Sequence, residues 1–148
     1  MAQEFTLQQL LGGEATASVS VRIKGLLHIP PLAIAGVGGV ELLDVSDGGL
    51  QDLPSNFSEL RCLKTLFASN NNFARAPCLD SLASLDMVAF RCNRMIEFSS
   101  AALPQMLRWL ILTDNLIDLL PEEIGACAPA RHPRPHTVSQ SKDEKPWP

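Results

Sequence analysis

The sequence predicts an α/β right-handed solenoid, with a short parallel sheet on its concave side and loops or short helical turns on its convex side. Three observations predict it. The pattern L-x-x-L-x-L-x-x-N-x-I-x-x-L-P recurs along the chain at a nearly constant interval. Within each copy a few apolar residues alternate with period two, as a half-buried strand requires. Each alternation is followed by a residue suited to a tight turn, most often Asn.

In chain order, Met1–Ala15 comes first. It carries Glu4 ahead of any apolar run and has no basic leading stretch, so it does not read as a secretory signal. "EFTLQQLL" is expected to form an N-terminal cap containing a short helix. A looser copy of the pattern then begins at Thr16, with Val19, Val21, Leu26 and Ile29-Pro30, and with Lys24 in the Asn place. The next begins at Val40 and reads Val40, Leu43, Val45, Gly48, Leu50, Leu53-Pro54. A third reads Leu63, Leu66, Ala68, Asn71, Phe73, Ala76-Pro77, and a fourth Leu85, Val88, Phe90, Asn93, Met95, Phe98. The fifth runs from Leu107 through Leu110, Leu112, Asn115, Ile117 and Leu120-Pro121. Starts at 16, 40, 63, 85 and 107 are separated by 24, 23, 22 and 22 residues. Repeats therefore span 16–125, and a tail follows over 126–148.

Each place in the pattern has a physical task. Alternation turns the aliphatic side chains inward and the intervening residues outward. Strands from successive copies then stack about 4.8 Å apart as a parallel sheet. Asn71, Asn93 and Asn115 form an expected structural ladder, because a short amide can bond the backbone where the chain turns. Gly48 and Lys24 cannot, so the first two turns are expected to lack that bond. Proline fits the returning half, since it asks for no ladder hydrogen bond. Phe57, Leu60, Leu79, Leu82 and Ile124 are expected to close the core from behind.

The apolar stretch from Gly25 to Leu43 has nearly the length of a membrane span, but it holds His28, Pro30-Pro31 and four glycines. It reads instead as the end of one repeat and the start of the next. The tail has five prolines in 23 residues and no period, and is expected to be unstructured. A Pro-rich partner motif and a truncated reading frame are its other readings. With no polar cap visible after Ile124, the last repeat is expected to fray unless the tail or a partner covers it.

Composition narrows the function classes. A net charge of −4 provides no clustered Lys and Arg for nucleic acid, so no nucleic-acid partner is expected. Nor is a membrane. Cys62, Cys78, Cys92 and Cys127 form no C-x-x-C pair, and no His lies at metal-ligand spacing. Their even number permits disulfides, but nothing else points to secretion, so the chain reads as cytoplasmic with reduced thiols. The sequon Asn56-Phe57-Ser58 is then accidental. "GVGGVE" lacks the G-K-[ST] of a phosphate loop. Kinase signatures are missing as well. Cys92 beside Arg91 reads as a small residue at a tight turn, and Glu122-Glu123 as a solvated edge. No catalytic residue, cofactor, metal site or small-molecule substrate is expected.

The segments "LKTLFASNNNF", "LDMVAFRCNRM" and "ALPQMLRWLILTDNLIDLLPEEIG" resemble leucine-rich-repeat proteins. More narrowly they resemble the repeat region of bacterial and plant-type members that often carry a C-terminal protein-kinase domain. The resemblance covers about residues 40–125, with a looser extension back to 16. It implies a protein-interaction module within signalling, and further repeats or a kinase domain beyond this point, which this chain does not show. The expected partner-binding face is the concave side, with Leu42, Asp44, Phe67, Met87, Ala89, Arg91, Trp109 and Ile111. Trp109, Phe67 and Met87 would anchor a protein partner, and Arg91 and Asp44 would orient it. The alternative is the recognition fragment of a kinase whose catalytic domain lies on other sequence; a decayed fragment is a third reading.

Overall fold

The middle apolar residue of each predicted strand decides whether the repeats share an interior. Val21, Leu43, Leu66, Val88 and Leu110 are all almost completely buried, and each sits directly beside the next across neighbouring strands. The computed structural model describes residues 3–12, 19–35, 37–120 and 136–138. Among these, the strands are β1 (Gln3–Glu4), β2 (Ser20–Arg22), β3 (Leu42–Asp44), β4 (Thr65–Phe67), β5 (Met87–Ala89), β6 (Trp109–Ile111) and β7 (His136–Val138). They form one sheet whose spatial order is the sequence order. Every pairing is parallel. The fold is α/β, an all-parallel sheet with a few short helices.

Parallel neighbours need a crossover between them. Here the crossovers are mostly irregular, with little helix. Helix α1 (Leu7–Leu11) opens with Thr6 as its N-cap in a reciprocal capping box with Gln9. Helix α2 (Pro31–Ala35) buries Ala33 and Ile34 and starts on a proline, which suits a first helical position. Single 3-10 turns occupy Ser55–Glu59 and Ser100–Ala102. The apolar stretch 25–43 divides between β2's exit, α2 and β3. No helix among the described residues is long and apolar enough to cross a membrane.

The interior is one apolar cluster running from Phe5 to Leu112. Phe57, Leu60, Leu79 and Leu82 close it on the side opposite the sheet; Ile124 lies outside the described residues. Where the third repeat has Ala68 in a leucine place, Phe73 fills the volume and meets Phe90 edge-on at 5.4 Å. The aromatic pair offsets the smaller aliphatic side chain.

Three buried asparagines join the repeats. Asn93 donates through Nδ2 to the carbonyls of Ala68 and Phe90, each at 3.0 Å, and its Oδ1 accepts the Phe73 N–H at 3.1 Å. Asn71 likewise bonds the carbonyls of Val45 and Ala68 and the N–H of Leu50. Asn115 bonds those of Phe90 and Leu112 and the N–H of Met95. Each amide thus satisfies backbone groups of its own repeat and of the one before, groups that burial would otherwise leave unpaired.

The first repeat lies two residues later than the sequence pattern places it. Ser20 pairs with Leu42, and Val21 and Ile23 point inward while Val19 is 55% exposed. The first interval, from Ser20 to Leu42, is therefore 22 residues rather than 24. Gly25, at φ 70°, then aligns with the left-handed residues Asp47, Asn70, Cys92 and Asp114. Lys24 does not hold the Asn place; it is exposed and pairs with Asp47 at 3.3 Å. Gly48 does hold that place, for a reason of space. A Cβ there would meet the Leu26 carbonyl oxygen at 2.5 Å and Asn71 Oδ1 at 2.9 Å.

Of the tail, His136–Val138 forms a strand beside β6, which differs from the expectation of an unstructured segment at those three residues. The other tail residues lie outside the described residues.

Candidate functional site

The outward-facing strand residues form two rows across the sheet. Register places Leu42, Thr65, Met87 and Trp109 in one, and Asp44, Phe67, Ala89 and Ile111 in the other. All eight residues flank the buried middle position of a strand, so the alternation that fills the core also sets this face. Leu42, Phe67, Met87 and Ile111 are half-buried, and Trp109 is 43% exposed. From β4 to β6 the rows read Thr65-Phe67, Met87-Ala89 and Trp109-Ile111. That is an apolar strip across three strands, about 10 Å between the outer two.

Two of the predicted face residues are buried. Asp44 is buried, its carboxylate accepting from Arg22 Nε at 2.7 Å and from the Ser46 N–H at 3.1 Å. It holds two strands together rather than presenting a charge. Ala89 is 4% exposed, because its methyl group is shorter than the flanking Phe67 and Ile111 side chains. Arg91 lies past the end of β5 and is exposed, but its Nε sits 3.2 Å from Asp114 Oδ2. That hydrogen bond holds the guanidinium's pKa above its ordinary value.

Sequence reasoning missed the charges bordering these rows. Lys64 pairs with Glu41 at 2.8 Å. Arg108 binds Asp86 through two nitrogens, Nη2 at 2.9 Å, and its pKa is raised by that contact. Once the repeats are aligned, the residue before each strand reads Glu41, Lys64, Asp86, Arg108. That alternation of sign was the available signal. On the other border, Asp47 accepts from Asn70 Nδ2 at 2.7 Å and pairs with Lys24. The Asn70 hydrogen bond and then Lys24 hold its carboxyl below the usual range.

A pocket of about 600 Å³ lies away from this strip, lined by Asp52, Pro54, Arg75, Cys78 and Asp80 among others. Its thiol is held protonated: Cys78 Sγ donates to Asp80 Oδ1 at 2.9 Å, which pushes the thiol's pKa up. That suits a nucleophile poorly. Arg75 is engaged by Glu97 at 2.7 Å. Among the described residues no group of three or more His, Cys, Asp or Glu is placed to hold a metal ion. The strip on the sheet is therefore the stronger candidate. No protein-family model and no curated protein matches the chain.

Proposed function

We propose that this chain is a leucine-rich-repeat solenoid that acts without catalysis, recognising a protein partner across the concave face of its sheet. The observation that carries the reading is the in-register strip of Phe67, Met87, Trp109 and Ile111, with Trp109 well exposed. Clustered aromatic, Met and aliphatic side chains on an accessible surface are the usual content of a recognition patch. Trp109 and Phe67 are the anchors, and Met87 adapts to the shape between them. The exposed thiols Cys62 and Cys78 support an intracellular, reducing setting.

The test is capture. A Phe67→Ala/Trp109→Ala double variant should keep the unmodified chain's circular dichroism and lose its specific partners from a cell extract by about ten-fold or more. Retained capture by a folded double variant would remove the proposed site.

A further inference from the structure

Strands β2 to β6, with the residues that immediately flank them, span 19–24, 41–47, 64–70, 86–92 and 108–114. These segments carry Arg22, Lys24, Lys64, Arg91 and Arg108, and Glu41, Asp44, Asp47, Asp86 and Asp114. The signs balance at five each, on a chain of net charge −4. All ten also lie in ion pairs, Arg22–Asp44, Lys24–Asp47, Lys64–Glu41, Arg91–Asp114 and Arg108–Asp86. Each pair joins one repeat to its neighbour. From β2 to β6 the charges of these segments are thus all paired across adjacent strands.

Resting on the proposed recognition role, we infer that the segment docking on this face is an uncharged, apolar stretch of a partner protein, carrying aromatic and aliphatic side chains. A charged segment gains little here. Arg91 and Asp86 already face opposite charges in Asp114 and Arg108, so an incoming charged group meets a largely neutralised pair. Burying the existing pairs under a charged ligand adds desolvation that imperfect geometry does not return. An uncharged segment leaves the five pairs in place at the rim. It covers Phe67, Met87, Trp109 and Ile111, where removal from water supplies the driving force. Association therefore lacks electrostatic steering, and its strength varies little with salt.

The experiment uses the full chain, immobilised, and a phage-displayed library of random peptides of about a dozen residues as the probe. Selection is run in parallel at about 50 and about 500 mM NaCl, conditions that bracket strong and weak screening. The unmodified chain should enrich peptides rich in Trp, Phe, Leu, Ile and Met with near-zero net charge, recovered alike at both salts. Recovery should fall about ten-fold on folded Trp109→Ala. Acidic or basic peptides that bind through Trp109 and vanish at high salt overturn the uncharged-partner inference while leaving the concave-face reading intact. Enrichment indifferent to Trp109→Ala, or none, overturns both. A concentration-dependent dimer in sedimentation, abolished by Trp109→Ala, assigns the face to a second copy and also overturns the inference.

Discussion

Cys92 stands at φ 53° in a column shared by Asp47 at 59°, Asn70 at 54° and Asp114 at 59°. Asp and Asn tolerate the left-handed region because their short polar side chains bond locally, whereas cysteine has no such relief. Its thiol lies 3.5 Å from Asp114 Oδ2, a weak copy of the 2.7 Å bond from Asn70 to Asp47. Cys92→Asn should therefore stabilise the chain by roughly 1 kcal/mol, and Cys92→Val should destabilise it, as read from the urea midpoint. Gly48 makes the opposite case. Restoring the repeat's usual residue with Gly48→Asn should cost about 1–3 kcal/mol, because the side chain collides with the Leu26 carbonyl. A neutral or stabilising Gly48→Asn would contradict that packing. Asp47 gives a pH signature. Its folded pKa is depressed below the ordinary 3.8, so its contribution is present above that value and disappears as pH falls through the lowered one. Asn70→Ala removes the main cause of the depression. The stability gap between unmodified and Asn70→Ala chains should hold near neutral pH and shrink below pH 3.8.

At the scale of elements, the asparagine ladder does what the short strands cannot. Three-residue strands leave turn backbone buried and unpaired, and Asn93 satisfies it on two repeats at once. Asn93→Ala should lower stability by about 2–4 kcal/mol, since several buried groups lose partners together; a loss below about 1 kcal/mol would show that water replaces the amide. Strands β3 to β6 were legible in the sequence because apolar alternation and spacing agreed, with Asn71, Asn93 and Asn115 marking the turns after the last three. The first repeat was not fixed by the same means. Val19, Val21 and Ile23 alternate with period two, so a slip of two residues leaves the same faces in and out. Gly25's left-handed turn and the burial of Ile23 and Leu26 decide the register, and none of these is visible as periodicity. For the site, strand pattern indicated which residues face outward but not which remain accessible. Asp44 is drawn in by Arg22, and Ala89 is overshadowed by longer neighbours. Both effects depend on adjacent repeats rather than on local sequence.

For the whole molecule, stability is passed from each repeat to the next. The apolar column, the asparagine bonds and the ion pairs all connect neighbours in the strand order. Exposed pairs of this kind contribute only about 0–1 kcal/mol each, so the column carries most of the cohesion. Leu66 is central and fully buried; Leu66→Ala should cost about 2–5 kcal/mol in urea unfolding, more than removal of any single rim charge. The same order generates the outer face, because outward residues can align only if inward ones do. The most direct measurement is methyl-resolved NMR of the full chain, reading contacts among Val21, Leu43, Leu66, Val88 and Leu110. The predicted result is a ladder in which each methyl group sees the next member of that series and not the one beyond. Contacts that skip members, such as Leu43 to Leu110, or an absence of contact between Leu66 and Val88, would contradict the stacked repeats and the face built on them.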